Sequence, residues 1–353
     1  MNRQNIIITL LSTPLLAFTA CSSSDEVSDI EPEDRAPIVL STAITPVTRA
    51  TTADLQNTQF ANGTQIGAFI YRTGKTAEDN SYGYENTPYT ADGNGALTPS
   101  PQPYFPMQKT AVDIYAYAPY LTSPTTAAEG KWSMTGLSVK ADQSTDDGYK
   151  ASDFVSGSIT NLTYANRADA NATKMTFKHN LCKIAVKLEA VTTDNQPFSN
   201  ANLEAARVIM NNVARGFDFN VTAGTVTTAA LSATSTENEV DMGVTEKSTT
   251  SEGTTKASSL TVYAIIPPQT VAANQTLFTI KLDKDVNKLG ASDATPTYAL
   301  VPSTGQQFEA GKQYTYTVSI DATKLSFTTT ITDWVDAKEN RGGTGKGVVV
   351  SGN

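Results

Sequence analysis

Residues 175–188 carry the sequence feature that most restricts the fold of this chain. In the first half of this stretch every second side chain is apolar or is His179, which is the period of a strand with one buried face. The alternation then shifts by one residue at Cys182, so that Lys183 and Lys187 are expected to face water. Because a one-residue shift exchanges the two faces of a strand, we predict a bulge or a sharp bend near Cys182 and Lys183.

Similar alternation recurs along the chain, whereas strong helical periodicity is scarce. Thr, Ser, Gly, Asn and Pro are abundant, a composition that suits short strands joined by many turns. The clearest predicted strands lie at residues 64–71, 112–118, 184–188, 262–266, 278–282, 314–320 and 327–334. The second of these carries apolar or aromatic side chains on both faces, which indicates a central strand. These patterns predict an all-β protein.

The length of the chain, 353 residues, allows two domains, because a single hydrophobic core rarely grows past about 250 residues. We predict an N-terminal antiparallel β-sandwich over residues 50–172, and a second one with a Gly-rich tail over residues 173–353. Within the second domain, the residues around Arg215 and Gly216 are expected to form a hairpin. The Thr-, Ser- and Ala-rich residues 221–259 are expected to form long loops.

Composition argues against several classes of function. The chain has 26 basic and 35 acidic residues and a formal charge of -9, a balance that does not favour nucleic acid as a partner, since nucleic-acid binding needs clustered Lys and Arg. It contains one His and two Cys, which leaves little basis for a Cys/His metal site or a disulfide framework.

Three features of the sequence resemble catalytic or binding groups, and each has a simpler structural interpretation. His179 lies on the apolar face of a predicted strand, where a packed, hydrogen-bonded His is more common than a catalytic base. Cys182 is expected to be a buried, inert thiol and not a nucleophile. The acidic residues between Asp142 and Asp153 match a calcium loop poorly, and a plain acidic turn is favoured. The sequence therefore predicts a protein that is not an enzyme and uses no cofactor or metal.

Residues 1–20 have the features of a targeting segment. A thin positive region with Arg3 precedes an apolar run that is too short to span a bilayer. The run leads to Phe18-Thr19-Ala20-Cys21, which resembles the lipobox of bacterial lipoproteins, although Phe18 stands where Leu is usual. This resemblance implies that Cys21 is acylated and becomes the membrane-anchored N-terminus. A plain secretory signal with an incidental Cys is the alternative.

Residues 21–49 are predicted to form an acidic tether followed by a strand. The tether is rich in Ser, Asp and Glu and has no apolar face, which is typical of disorder. Residues 38–48 are apolar and Thr-rich and form a strand candidate. A polar turn with Arg49 and Ala50 follows, and it indicates a cleavage point for a trypsin-like protease, because proteolysis concentrates at exposed loop tips.

Several of these runs together carry a family resemblance. They are the lipobox at Cys21 and residues 48–50, 63–71, 104–120, 177–188, 265–270 and 311–334. In this order they resemble the fimbrillin family, the lipoprotein precursors of type V pilus subunits, over nearly the whole chain. The resemblance implies two tandem transthyretin-like antiparallel β-sandwich domains and secretion as a lipoprotein.

The resemblance also implies a route of maturation and assembly. Residues 38–48 would be the strand that a maturation protease removes, with Arg49 before the cut and Ala50 as the new N-terminus. The groove left behind would accept a strand from another pilus subunit. The precursor would be held by its lipid in the outer membrane, and the mature subunit would lie in an extracellular fimbrium that adheres to a host protein or glycan.

The sequence leaves alternative roles open. The tail after Trp334 is short and Gly-rich, which makes it a poor candidate for a donor strand. A tip or accessory subunit is therefore nearly as well supported as a shaft subunit. The alternative function is a monomeric, surface-exposed lipoprotein whose exposed Tyr and Trp residues bind a glycan. Such a protein would need no cleavage at Arg49.

Overall fold

The strands of the protein form where apolar side chains alternate with Thr, Ser and Lys, because this spacing lets one face of a pleated strand bury its side chains. The computed structural model describes residues 36–44, 59–75, 82–123, 133–192, 206–252, 255–281, 297–320, 325–334 and 350–352. Among these residues, no helix has the length and apolar character needed to cross a membrane.

Nearly all regular elements are short strands, which confirms the all-β prediction. The N-terminal half contains β1 (Leu40–Ile44), β2 (Gln65–Arg72), β3 (Gly83–Ala91), β4 (Ala96–Pro99), β5 (Val112–Ala118), β6 (Ser133–Ser138), α1 (Asp146–Lys150), β7 (Val155–Leu162) and β8 (Lys174–His179). The C-terminal half contains β9 (Cys182–Thr192), β10 (Arg207–Met210), β11 (Gly216–Asn220), β12 (Thr225–Thr228), β13 (Val240–Asp241), β14 (Gly243–Glu252), β15 (Thr255–Ile266), β16 (Gln269–Val271), β17 (Phe278–Lys281), β18 (Thr297–Leu300), β19 (Gln306–Phe308), β20 (Lys312–Ile320), β21 (Leu325–Asp333) and β22 (Val350–Gly352).

Strands of the N-terminal half form one sheet that closes on itself. Its order is β1-β4-β3-β2-β5-β7-β8, with β8 returning to β1. Neighbours are antiparallel except β1 and β8, which run parallel. β5 is paired on both edges, with β2 and with β7, so it is a central strand as its two apolar faces predicted. The enclosed side chains form the first core, which includes Ile66, Tyr89, Ile114, Met175 and Phe177.

The C-terminal half contains two sheets that share a second core. A six-stranded sheet has the order β14-β15-β9-β20-β21-β22, and a four-stranded sheet has the order β13-β10-β17-β18. Val186 and Tyr316 come from the first of these sheets, and Met210 and Phe278 come from the second. The rings of Phe278 and Tyr316 meet edge to face, with centroids 4.9 Å apart.

A third cluster of buried side chains lies between the strands of the two halves. The three-stranded sheet β12-β11-β6 contributes Phe217 and Phe219, and the outer face of the first sheet contributes Phe69 and Tyr117. Phe154 stands between them, with its ring centroid 4.8 Å from Phe219 and 5.9 Å from Tyr117. Apolar burial therefore continues from the first core to the second.

The shift in alternation at Cys182 marks the passage of the chain from one sheet to another. β8 ends at His179 and β9 begins at Cys182, with a bend at Leu181. The predicted bend is confirmed. The change of sheet comes after the predicted boundary at residues 172 and 173, because β8 still pairs with β1 and β7.

The prediction that Lys183 faces water is wrong. Its side chain is 1% exposed, and its ammonium nitrogen lies 4.7 Å from the centre of the Tyr263 ring. At its start β9 is flanked by β15 and β20, and the face that carries Ala185 is covered by the third cluster. Both faces are therefore buried there. Lys187, further along the strand, stays partly exposed and pairs with Glu189.

One other local prediction is wrong, and a second holds only in part. The residues around Arg215 form no hairpin, since β10 pairs with β13 and β17 whereas β11 pairs with β6 and β12. Backbone groups between these strands bond elsewhere: the N–H of Val213 donates to the carbonyl of Asn238 at 3.1 Å. Residues 221–259 were expected to hold long loops, and residues 229–239 do contain no strand. The same region also includes most of a long hairpin of β14 and β15, whose Thr and Ser suit strands as well as loops.

Candidate functional site

β1 is the strand that closes the first sheet. It pairs antiparallel with β4, with Leu40 opposite Leu97, and parallel with β8, with Ser41 opposite Lys174. β4 and β8 are joined only through β1 in the described order of strands. Removing β1 would therefore open a gap in the sheet with unpaired backbone groups on both sides.

The side chains of this segment alternate between the core and the surface, as expected for a strand with one buried face. Ile38, Leu40 and Thr42 are buried, with 0%, 2% and 4% exposure. Val39 points outward and is 56% exposed. Ile38 and Leu40 belong to the same core as Phe177 of β8, so the segment fills part of the interior as well as a place in the sheet.

The residues before β1 are bound by residues 102–105, a contact that the sequence analysis did not predict. The N–H of Ile38 donates to the carbonyl of Pro103, and the N–H of Phe105 donates to the carbonyl of Ala36, each at 2.9 Å. The side chain of Gln102 donates to the carbonyl of Ile38 at 3.1 Å. A Gln in a Pro-rich stretch has no pattern of its own, so this contact could not be found from the sequence.

A glycine lets the chain approach β1 closely on the β4 side. The N–H of Thr42 donates to the carbonyl of Gly95 at 2.7 Å, and its hydroxyl reaches the same oxygen at 3.4 Å. Gly95 has a φ of +102°, which side chains disfavour, and a Cβ there would lie 3.2 Å from the carbonyl oxygen of Thr42.

This arrangement can hold a short strand firmly without any covalent bond to the rest of the sheet. Burying an Ile or Leu side chain contributes ~1.5–3 kcal/mol, and Ile38 and Leu40 are both fully buried. Paired backbone groups add to this because they would otherwise be left unsatisfied. The site is therefore a groove between β4 and β8 that is shaped for an extended chain.

The predicted processing residues lie outside the described part of the chain. Cys21, Arg49 and Ala50 are not among the described residues, so their roles stay predictions. The described strand β1 covers residues 40–44 of the predicted strand 38–48, and Ile38 is held as an extended residue before it.

His179 is packed and hydrogen-bonded, as predicted. Its Nδ1 donates to Oδ1 of Asp153 at 2.9 Å, and its ring stacks on Trp334 with centroids 3.9 Å apart. All three side chains are buried. Nε2 of His179, Oδ2 of Asp153 and Nε1 of Trp334 have no hydrogen-bond partner among the described residues. The cluster joins the end of β8 to the residue that follows β21.

The remaining features of interest have structural roles. Cys182 is buried, its thiol donates to the carbonyl of Glu309 at 3.1 Å, and burial raises its pKa well above the usual value. The acidic turn is held locally, because Asp142 accepts bonds from the N–H and hydroxyl of Ser144 while Asp153 faces His179. Within the described part of the chain, no group of three His, Cys, Asp or Glu side chains is placed to hold a metal.

Comparison with protein families matches residues 48–334 to the family described as fimbrillin-like. The chain belongs to the fimbrillin-like family. The matched region begins after β1 and ends at Trp334, so β1, although built into the first sheet, lies outside the matched residues.

Similar proteins support the fimbrillin-like assignment. A provisionally named fimbrium subunit of Bacteroides uniformis, Fim1C, is 25% identical over 346 residues, which cover 95% of this chain and 96% of that protein. The crystal structure of a provisionally named cell adhesion protein from the same species has a TM-score of 0.56 and 18% identity, covering 87% of this chain and 100% of that one. A cell adhesion protein from Bacteroides ovatus, also provisionally named, has a TM-score of 0.53 and 21% identity, covering 85% and 98%. At these identities the two structures show a shared fold.

Proposed function

We propose that this fimbrillin-like chain is a structural subunit of an adhesive cell-surface fimbria and that β1 is a removable strand. In this proposal the precursor carries a lipid on Cys21, which holds it in the outer membrane. A trypsin-like protease then cuts after Arg49, so that Ala50 becomes the N-terminus. A strand from another subunit replaces β1 and links the two subunits in the extracellular fimbrium.

The position of β1 is the observation that carries this proposal. β1 closes the first sheet through pairings with β4 and β8, yet it lies before the region that matches the family. Its departure would expose the cavity that Ile38 and Leu40 fill, together with two rows of unpaired backbone groups. Such an edge favours capture of another extended chain.

Cleavage is needed because the intact chain keeps β1 at a high effective concentration near its groove. A tethered strand rebinds as an intramolecular event, so a strand from a second molecule competes poorly with it. After a cut at Arg49 the strand is a separate peptide and can be lost by dilution. The precursor is then expected to stay monomeric, and the cut form is expected to assemble.

An exchange assay tests the proposal directly. Wild-type protein and the Arg49→Ala variant are treated with limited trypsin and mixed with a fluorescent peptide that has the sequence of residues 38–48. We expect the cut wild-type protein to lose its own strand and take up the labelled peptide, as seen by size-exclusion chromatography. Arg49→Ala should exclude the peptide, because its strand stays tethered.

Arg35→Ala is the matched control for this assay. Arg35 is the other basic residue of the segment after Cys21, but it precedes the strand, so removing it should leave exchange unchanged. If cut wild-type protein keeps residues 38–48 bound and takes up no label, strand exchange is wrong. The monomeric, glycan-binding surface lipoprotein would then be the better description.

A further inference from the structure

A cleft of about 380 Å³ lies on the outer face of the first sheet, away from the β1 groove. Strands β5, β7 and β8 form its floor, and the turn of residues 221–224 after β11 forms one wall. All of its lining residues belong to the described part of the chain. The proposed strand exchange does not use this cleft.

Strand register explains why polar side chains collect on this floor. Tyr115 of β5 lies opposite Ser158 of β7, and Ser156 of β7 lies opposite Lys178 of β8. Paired residues in neighbouring strands share a face, and so do residues two apart in one strand, so Thr176 joins them. The opposite face of the same strands points into the first core. The outer face therefore presents four hydroxyl groups and one ammonium group together.

Lys178 carries the charge of the cleft. It is exposed, and no ion pair or hydrogen bond engages its ammonium group among the described residues. No carboxylate is among the residues that line the cleft. A Cβ added at Gly224 would lie 3.9 Å from both Nζ of Lys178 and Oγ of Ser156, so the glycine leaves space directly above these two groups.

The hydroxyl groups are arranged to bond a ligand as well as the protein. Oγ of Ser156 accepts a hydrogen bond from the side chain of Asn180 at 2.7 Å, which leaves its own hydrogen free to be donated. Thr222 in the turn adds a further hydroxyl to the lining. The ring of Tyr115 is half-buried against Tyr71, with centroids 5.5 Å apart, and supplies a rigid aromatic wall.

The geometry points to a binding site for a carboxylated sugar, with Lys178 as the partner of the carboxylate. An aromatic wall suits the apolar face of a sugar ring, and Ser and Thr hydroxyls suit its hydroxyl groups. A phosphate or sulfate group would be expected to meet several cationic or N–H donors, whereas this cleft offers a single ammonium group. A neutral sugar would offer that exposed ammonium group no opposite charge.

This binding site is not part of the proposed assembly function. Assembly would change only the overall affinity with which the protein binds a glycan-coated surface. One shallow, open cleft is expected to bind weakly, with a Kd on the order of 1 mM. A fimbria that repeats the subunit would present many such clefts to one glycan-coated surface, and linked weak sites can raise the overall affinity by about 100-fold or more. Because all lining residues of the cleft belong to one chain, binding can be tested with a single subunit.

The test measures binding of D-glucuronic acid and D-glucose to the purified protein by saturation-transfer NMR and titration. These sugars differ only at C6, where glucuronic acid has a carboxylate and glucose has a hydroxymethyl group. We expect glucuronate to bind about tenfold or more tightly than glucose, as for a hydrogen bond to a charged group. Lys178→Met should abolish this preference. Lys174→Met, on the same strand but outside the cleft, is the matched control and should retain it.

A second variant blocks the space without changing the charge. Asn tolerates the φ of +63° at residue 224, so Gly224→Asn should fold with an unchanged Tm while its side chain fills the cleft and prevents binding. Equal binding of glucuronate and glucose, or no binding of either, would overturn the assignment. Displacement of glucuronate by an equal concentration of inorganic phosphate would show recognition of charge alone and would also overturn it. None of these outcomes bears on strand exchange.

Discussion

At the scale of single residues, the cluster of Asp153, His179 and Trp334 shows how one buried polar pair constrains its surroundings. The carboxylate and the imidazole satisfy each other at 2.9 Å, and the indole covers the imidazole at 3.9 Å. Neither polar group has access to bulk water, since Asp153 is 0% and His179 is 4% exposed. Removing one partner therefore leaves the other buried without a hydrogen bond. This lowers the free energy of unfolding more than replacing both partners by apolar side chains does.

We predict strong coupling between these two residues. His179→Phe should keep the stack on Trp334 but leave Asp153 unpaired, lowering the free energy of unfolding by ~3–5 kcal/mol. Asp153→Leu combined with His179→Phe should recover most of that loss. Urea unfolding of the single and double variants measures the coupling. Strictly additive effects would contradict the interpretation.

Cys182 allows a second prediction at this scale. Burial raises the pKa of its thiol, and the thiolate is the reactive form, so the native protein should react negligibly with iodoacetamide at neutral pH. Unfolding in urea should expose the thiol and allow alkylation. Mass spectrometry of the peptide that contains Cys182 distinguishes the two states. Rapid alkylation of the folded protein would show that the thiol is accessible.

At the scale of elements, β1 is held in the first sheet by few side chains. Ile38 and Leu40 provide the apolar anchoring, while Val39 faces water. The pairings with β4 and β8 and the bond from Gln102 fix its position along the groove. In the proposed maturation, a strand held this way would be stable while it is tethered and replaceable once it is cut.

We predict that Leu40 controls how long the cut strand is retained. Leu40→Ala removes buried methyl groups and should weaken retention of residues 36–49 by ~2 kcal/mol or more, which is about 30-fold. Limited trypsin treatment followed by chromatography and mass spectrometry measures the bound peptide. Val39→Ala is the control and should change little, because its side chain is 56% exposed. Equal retention in both variants would show that the core contacts of β1 do not hold it.

At the scale of the whole molecule, the third cluster decides whether the two halves unfold together. Phe154, Phe217 and Phe219 connect the outer face of the first sheet with the start of β9 and the end of β15. Because buried apolar contacts continue through this cluster, the loss of one half should expose part of the other.

We predict a single unfolding transition for the wild-type protein that separates when this cluster is weakened. Phe219→Ala should cost ~3–5 kcal/mol and produce two transitions in calorimetry. Leu231→Ala, at a side chain that is 52% exposed, should leave the single transition unchanged. If wild-type protein already shows two transitions, the cluster does not couple the halves.

Much of this fold follows from local patterns that the sequence displays directly. Alternation determined the strands near residues 64–71, 112–118 and 314–320, because a pleated strand places every second side chain on one face. The turn at Asn62 and Gly63 before β2 is also local, since Gly63 adopts a φ of +86° that other residues disfavour. These features depend on neighbours in the chain.

Only the tertiary structure decided which strands pair and what covers them. The burial of Lys183, the separation of β10 from β11, and the closure of the first sheet by β1 all depend on segments distant in the sequence. The cleft at Lys178 likewise forms because a turn more than 40 residues later in the sequence lines it together with β8. Period-two alternation specifies two faces for a strand. It does not specify which strand pairs on either edge or which layer of side chains covers each face.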